Sequence, residues 1–281
     1  MTSTLDTPDL RPSQLFDLTG KVALITGGAT GIGRMAAEGL VAAGARVMIA
    51  SRKGDACVAV ASELNAMGLP GHAEGFAGDV GTKDGAEALA AEVARRTPAL
   101  HILMNNAGRT WGAPLGEHPY EAWEKLLALN VTGMFHLTQC LLPLLEQAAT
   151  DDDPSRIVNV GSVMGDIPKG TATYSYAVSK GAVHHMTRVL ANDLAARRIT
   201  VNAIAPGPFV SKMTAFALGT PEGQAESAAG VPLGRVGRPE DIAGALQFLC
   251  GRGGAYVSGA ILPLSGGMQS HAPGQLFNKD L

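Results

Sequence analysis

The chain has 281 residues, enough for one large domain or two small ones, and 46% of them are hydrophobic, enough to bury a sizeable core. Its formal charge is −3, from 22 basic and 25 acidic residues, and 17% of residues are charged. That balance excludes a polyanion-binding surface and a disordered chain.

Residues 1–17 are polar and lack a signal pattern, so they read as a frayed leader. Residues 22–26 are short, β-branched and apolar, the mark of a buried strand. Residues 31–43 follow at helical period. Strand two is expected at 46–50, a helix at 55–67, a weak strand at 72–77 and a helix at 82–96. A strand at 100–104 ends in Asn105-Asn106-Ala107-Gly108. Residues 120–147 predict one long helical stretch, kinked or stepped near Pro143. Its greasiest part, 126–145, contains Asn130, His136, Gln139 and Pro143, which argues against a membrane span. Asp151-Asp152-Asp153-Pro154 is a solvated turn rather than a metal site. A strand at 156–160, a helix at 176–196 and a strand at 199–204 come next. Pro239-Glu240-Asp241 opens a helix, with proline and acids in its first turn. The last strand is expected at 260–264.

Seven strands alternating with helices, most too apolar to face water, predict an α/β fold. The expected form is a doubly wound parallel sheet in one three-layer Rossmann domain over 18–268, with a tail at 269–281. The 36 glycines fit many tight turns or close backbone approaches. Cys57, Cys140 and Cys250 are far apart and give no disulfide framework, which suits a reduced, cytoplasmic compartment.

Ligands of such sheets bind outside the carboxyl ends of the strands. There the first loop reads Thr26-Gly27-Gly28-Ala29-Thr30-Gly31-Ile32-Gly33. Glycines let the backbone approach a pyrophosphate, and the following helix offers free N–H groups. Strand two ends in Ser51-Arg52-Lys53, with no acid to repel a phosphate and two cations to hold one. Tyr176 and Lys180 are four apart, hence on one helix face, where an ammonium lowers a phenol's pKa. Ser162 lies just past the 156–160 strand, and Asn130 is a polar amide inside an apolar stretch.

Thr26-Gly27…Gly31-Ile32-Gly33, Asn105-Asn106-Ala107-Gly108, Asn130, Gly161-Ser162, Tyr176-Ala177-Val178-Ser179-Lys180 and Pro206-Gly207 together resemble the short-chain dehydrogenase/reductase family, over about residues 18–268. The resemblance implies NADP(H) as cofactor, with NAD(H) the alternative. It implies Tyr176 as general acid, Ser162 as holder of the substrate oxygen, and Lys180 as binder of the nicotinamide ribose that also depresses the tyrosine pKa. Asn130 would anchor a water on the proton path. Asp79-Val80 would meet the adenine, and Asn106-Ala107-Gly108 would line the cofactor. Pro206-Gly207 with Phe209, Val210 and Ser211 would lie beside the carboxamide. Thr30 stands where NADPH-dependent members often carry a basic residue, which leaves Arg52 and Lys53 as the phosphate holders. Tyr174 is expected to be a wall residue.

His184-His185 are adjacent, so they face different sides of a helix and suit packing or the surface rather than a metal. Asp166 and Lys169 read either as substrate contacts or as a solvated loop pair. Cys140 is expected to be a small core group. No metal site is expected.

The expected substrate walls are Val163, Met164, Arg109, Trp111, Phe209, Met213 and Phe216, mostly apolar, which suits a hydrophobic ketone. Trp111-Gly112-Ala113, Trp123-Glu124-Lys125, Leu142-Pro143-Leu144-Leu145, Ser211-Lys212-Met213 and Gly254-Ala255-Tyr256 resemble the 3-oxoacyl-carrier-protein reductase branch, rhamnolipid-type ketoacyl reductases in particular. The branch implies reduction of a 3-oxoacyl thioester or similar carbonyl. An alcohol, polyol or steroid dehydrogenase run towards oxidation is the second reading, and an inactive binding protein on the same fold the third. The expected partners are a small carbonyl or alcohol and, through the 120–147 and 176–196 helices, three further copies of the chain. Neither nucleic acid nor membrane is expected.

Overall fold

The computed structural model describes residues 9–168 and 172–270. Its centre is one seven-stranded sheet, all parallel, in the order β3-β2-β1-β4-β5-β6-β7. The strands are β1 Val22–Thr26, β2 Arg46–Ser51, β3 His72–Ala77, β4 Ile102–Asn105, β5 Ser155–Val160, β6 Ile199–Pro206 and β7 Ile261–Leu264. The order reverses between β1 and β4, so a crevice opens past the carboxyl ends of those two strands.

A single turn, α1 Pro12–Leu15, precedes the sheet, and α2 Gly31–Ala42, α3 Gly54–Ala66 and α4 Lys83–Arg96 link its first strands. After β4 come α5 Tyr120–Leu127, a π turn Ala128–Gly133 and α6 Met134–Ala148. Helix α7 Tyr174–Leu194 joins β5 to β6. Two short helices, α8 Ala215–Leu218 and α9 Pro221–Ala229, and then α10 Pro239–Cys250 fill the span from β6 to β7.

Strand residues alternate between two cores because successive side chains point to opposite faces. Ala23, Ile25, Val47, Ile49, Ile102 and Met104 pack with α2, α3 and α10 on one face. Leu24, Met48, Leu103 and Ile157 pack with α4, α6 and α7 on the other. The doubly wound expectation therefore holds, with all seven strands found.

Several boundaries differ. Helix α7 starts at Tyr174, two residues early, β6 runs on to Pro206, and β4 is shifted to 102–105. The long helical stretch steps at the π turn and not at Pro143, which is exposed inside α6, so water can serve the carbonyl it leaves free. At the step a Cβ on Gly133 would fall 1.7 Å from the Val80 carbonyl oxygen, so the helix passes directly against that backbone. By length and composition Tyr120–Ala148 is apolar enough to cross a membrane. Here its Leu137, Leu141 and Leu145 belong to the core beneath the sheet. Within the expected leader, Leu15 and Phe16 lie against Gly251 and Gly253. Residues 1–8, most of the 269–281 tail and Lys169 lie outside the described residues.

Candidate active site

A cleft of about 680 Å³ runs along the carboxyl ends of β1, β2, β4, β5 and β6. It gathers Gly27, Thr30, Gly31 and Ile32 from the glycine loop, Ser51, Arg52 and Lys53 after β2, and Asp79 and Val80 after β3. Asn106, Ala107, Gly108 and Arg109 line it after β4, as do Pro206, Gly207, Phe209, Ser211 and Met213 after β6. Ser162, Tyr176 and Lys180 complete the wall. Residues separated by up to 188 positions in sequence thus meet in one cavity because every loop here leaves the same edge of the sheet.

The glycine loop is held by the segment after β4. Thr26 Oγ1 accepts from the N–H groups of Asn106 (3.1 Å) and Ala107 (3.0 Å). In return Asn106 Nδ2 donates to the carbonyls of Thr26 (2.8 Å) and Gly27 (3.1 Å). Gly27 and Gly31 have φ of 67° and 53°, where a side chain is strained. A Cβ on Gly31 would meet Ser211 Cβ at 2.8 Å, so this glycine lets the loop after β6 close over the first one. Helix α2 begins with no side-chain cap on Thr30, which leaves its first N–H groups for a ligand. A bare helix start in a glycine cradle with Arg52 and Lys53 exposed at the rim fits a pyrophosphate and a further phosphate. Gly33 is buried behind the loop; a Cβ there would lie 2.5 Å from Asn106 Nδ2 and from the Gly27 carbonyl oxygen, so it is a packing glycine. Val210 is exposed, outside the cleft lining.

At the other end, the Ser162 and Tyr176 side chains are hydrogen-bonded. Ser162 Oγ also accepts the Met164 N–H at 3.2 Å. Lys180 is fully buried, donates to the Val160 carbonyl oxygen at 2.7 Å, and lies 5.7 Å from the centre of the Tyr176 ring. Burial lowers its pKa to about 8. Burial pushes the Tyr176 phenol up, against a smaller opposing pull from the Ser162 hydrogen bond. The depressed tyrosine pKa expected from the Tyr176–Lys180 spacing is therefore not what the protein alone produces: the ammonium is spent on a carbonyl, and desolvation dominates. Tyr174, two residues earlier, is on the surface, edge-on to His118.

Asn130 sits in the π turn and is buried. Its Oδ1 accepts the Arg109 N–H at 3.0 Å, and its Nδ2 donates to the Arg109 carbonyl (3.0 Å) and to Ser179 Oγ (3.1 Å). This amide clamps the stretch of chain after Gly108 to α7. Beneath it Asn105 Nδ2 donates to Asn159 Oδ1 (2.9 Å), and Asn159 Nδ2 donates to Thr187 Oγ1 (3.0 Å), which ties β4 and β5 to α7.

The expected substrate walls divide. Arg109, Phe209 and Met213 line the cleft; Trp111, Val163, Met164 and Phe216 do not. Val163 is buried in the 3₁₀ turn after Ser162, and Phe216, 89% exposed, borders a second hollow against Glu226 and Ser227. Residues that were not singled out for the site also line the cleft: Leu129, Val160, Gly161, Lys212 and Thr214. Thr214 Oγ1 bonds Phe209 O at 2.7 Å and so shapes the loop after β6. Asp166 Oδ1 lies 2.8 Å from Nδ1 of the buried His184. Among the described residues no three His, Cys, Asp or Glu side chains are grouped to hold a metal.

A glycine cradle and a buried Ser–Tyr–Lys group sharing one cleft of a doubly wound sheet define a dinucleotide-binding α/β protein with acid–base chemistry at hand. The sequence profile of the short chain dehydrogenases matches residues 21–220. The chain is 43% identical over 252 residues to the rhamnolipids biosynthesis 3-oxoacyl-[acyl-carrier-protein] reductase of Pseudomonas aeruginosa, covering 90% of this chain and 97% of that one. It is 34% identical to the 3-oxoacyl-[acyl-carrier-protein] reductase FabG of Aquifex aeolicus, covering 89% and 98%. Among solved structures, it is similar to the Pseudomonas aeruginosa RhlG/NADP active-site complex, with TM-score 0.87 at 42% identity over 91% of this chain and 98% of that one. A gluconate 5-dehydrogenase from Burkholderia cenocepacia in complex with NADP and tartrate gives TM-score 0.84 at 29% identity over 93% and 100%. The chain belongs to the short-chain dehydrogenase family, and it is an oxidoreductase.

Proposed function

We propose that this protein is an NADPH-dependent reductase of a hydrophobic ketone, a 3-oxoacyl thioester foremost, to the secondary alcohol. The observation that carries the reading is the single cleft with Arg52 and Lys53 at one end and the Ser162–Tyr176 hydrogen bond at the other. NADPH, when bound, supplies the hydride. The helix start at Gly31–Gly33 and the Asn106–Gly108 segment hold the pyrophosphate and the body of the dinucleotide. Arg52, with Lys53, holds the 2′-phosphate, and Asp79 and Val80 flank the adenine. Pro206, Gly207, Phe209 and Ser211 border the nicotinamide end.

Ser162 Oγ donates to the substrate carbonyl oxygen, while its own lone pair stays engaged by the Met164 N–H. Tyr176 gives its phenol proton to the same oxygen as the carbonyl becomes an alkoxide, so ketone, hydride and proton sum to the alcohol. The phenol pKa, raised by burial, keeps Tyr176 protonated and ready to donate. Lys180, poised near pH 8, binds the ribose and returns a proton to the phenolate. Asn130 fixes Arg109 and α7 around that path.

Two relatives named as 3-oxoacyl-carrier-protein reductases support the thioester, as does the half-exposed apolar side chain of Met213 in the cleft lining. The likeness to a gluconate dehydrogenase keeps polyol oxidation as the second reading. We also place the enzyme in the cytoplasm as a homotetramer. Tyr120, Phe135, Val178 and Val189 are exposed apolar side chains on α5, α6 and α7, the faces a symmetric partner would cover. The test is a steady-state screen of NADPH and NADH against 3-oxoacyl thioesters, ketoesters, cyclic ketones and sugars. NADPH with a thioester should give the highest kcat/KM; a preference for NAD and a polyol overturns the reading.

A further inference from the structure

Helix α7 presents Lys180 and His184 one turn apart on one face. They grip the two peptide groups that flank Gly161. Lys180 Nζ donates to the Val160 carbonyl oxygen at 2.7 Å, and the Ser162 N–H donates to His184 Nε2 at 3.4 Å. The imidazole fills a slot that only glycines leave open. A Cβ on Gly161 would fall 2.1 Å from His184 Nε2, and one on Gly165 would fall 2.8 Å from Cε1. The loop between these glycines carries Ser162, closed on itself by Gly165 N–H to Ser162 O at 2.9 Å. On the ring's other side, Nδ1 lies 2.8 Å from Asp166 Oδ1. The carboxylate is an acceptor, so Nδ1 carries the proton and Nε2 keeps its lone pair for Ser162. His184 is 2% exposed, yet nothing in the proposed reaction uses it.

We propose that His184, set in its Nδ1–H tautomer by Asp166, is a positioning residue for Ser162, and that protonating its Nε2 turns an acceptor into a donor and releases the Ser162 loop. The proposal rests on Ser162 holding the substrate oxygen. It predicts that activity fails on the acid side as the imidazole gains a second proton. The charges acting on the ring are Asp166 from the Ser162 loop, which favours that proton, and Lys180 and Arg188 from its own helix, which oppose it. Burial opposes it most strongly. Strand β5 brings one charge, Arg156, paired with Asp153 at the strand's far end, and the residues of β6 are uncharged. Helix α5 and the π turn add no charge to those acting on the ring.

The test uses His184→Leu, His184→Gln and Asp166→Asn, with NADPH affinity, the pH profile of kcat for a 3-oxoacyl N-acetylcysteamine thioester, and nitrogen NMR of the imidazole. His184→Leu should lower kcat about tenfold to a hundredfold with NADPH Kd unchanged, since small misplacements of a reacting group cost that much. His184→Gln offers an acceptor that does not titrate, so it should recover much of that rate and lose the acid limb. Asp166→Asn removes the carboxylate that favours the second proton, so the limb should move to lower pH. NMR on the wild type should find Nε2 unprotonated at neutral pH. A ring protonated at Nε2, or an acid limb unmoved by both His184→Gln and Asp166→Asn, overturns the proposal. If Ser162→Ala retains wild-type kcat, the fault lies instead in the role given to Ser162.

Discussion

The buried ammonium of Lys180 donates to the carbonyl oxygen of Val160 at 2.7 Å, two residues before Ser162 on the same chain. One hydrogen bond therefore ties the helix that carries the tyrosine to the strand that carries the serine. It is an expensive arrangement, because a charged amine is buried against a neutral carbonyl rather than a carboxylate.

That cost is measurable. Burial holds the folded-state pKa of Lys180 at about 8, below the ordinary lysine value of 10.5, so the unfolded chain binds the extra proton across that window. Stability therefore rises with pH between those values, and the penalty is fully present below about pH 8, where it amounts to roughly 3 kcal/mol at most. Lys180→Met should raise Tm at neutral pH while abolishing turnover, and the gain should shrink through the window and vanish above about pH 10.5. Calorimetry at the two pH values checks it; a lower Tm for the variant at neutral pH contradicts it.

Arg52→Asp should weaken NADPH and shift preference towards NADH. A carboxylate repels a 2′-phosphate but accepts from ribose hydroxyls. The ratio of kcat/KM for the two cofactors is the readout, and an unchanged ratio removes Arg52 from the phosphate site.

Asn130→Ala leaves the part-buried Arg109 N–H and carbonyl without their partner, while the Ser179 hydroxyl keeps its bond to the Tyr176 carbonyl. Unpaired buried groups cost about 1–3 kcal/mol each, so denaturant unfolding should show a loss of about 2–4 kcal/mol, along with reduced kcat. A loss below about 1 kcal/mol means that water replaces the clamp.

The strands and the motif residues were legible because both follow local rules. Alternating apolar runs such as Val22–Thr26 mark buried strands, and Gly27, Gly31, Tyr176 and Lys180 carry their spacing on their face. What was not legible depends on contacts made far along the chain. Nothing local says that the helix steps at Asn130 rather than at Pro143; the step follows from Gly133 against Val80 and from the amide's grip on Arg109. His184 looks like any core histidine until Gly161, Gly165 and Asp166 fold around it, although two glycines four apart just after a strand are a usable signal. Trp111 lies in a loop and Phe216 in the single turn α8, where periodicity says little about which side a side chain takes.

Assembly has its own test. Tyr120, Phe135, Val178 and Val189 leave apolar surface on the helices that frame the site. Light scattering should show a tetramer, with a dimer as the smaller closed form, and Val178→Glu should dissociate it. An active wild-type monomer at micromolar concentration contradicts the assembly and leaves the chemistry untouched.

The central claim is that the Tyr176 phenol delivers the proton while the rest of the cleft binds and orients. Tyr176→Phe keeps the ring, its burial and the cofactor cradle and removes one oxygen. Consumption of NADPH with a 3-oxoacyl thioester, measured side by side for the wild type and Tyr176→Phe, tests it most directly. The account predicts a fall in kcat of about 10²–10⁴-fold with NADPH Kd unchanged. A variant whose kcat stays within a few-fold of the wild type contradicts it.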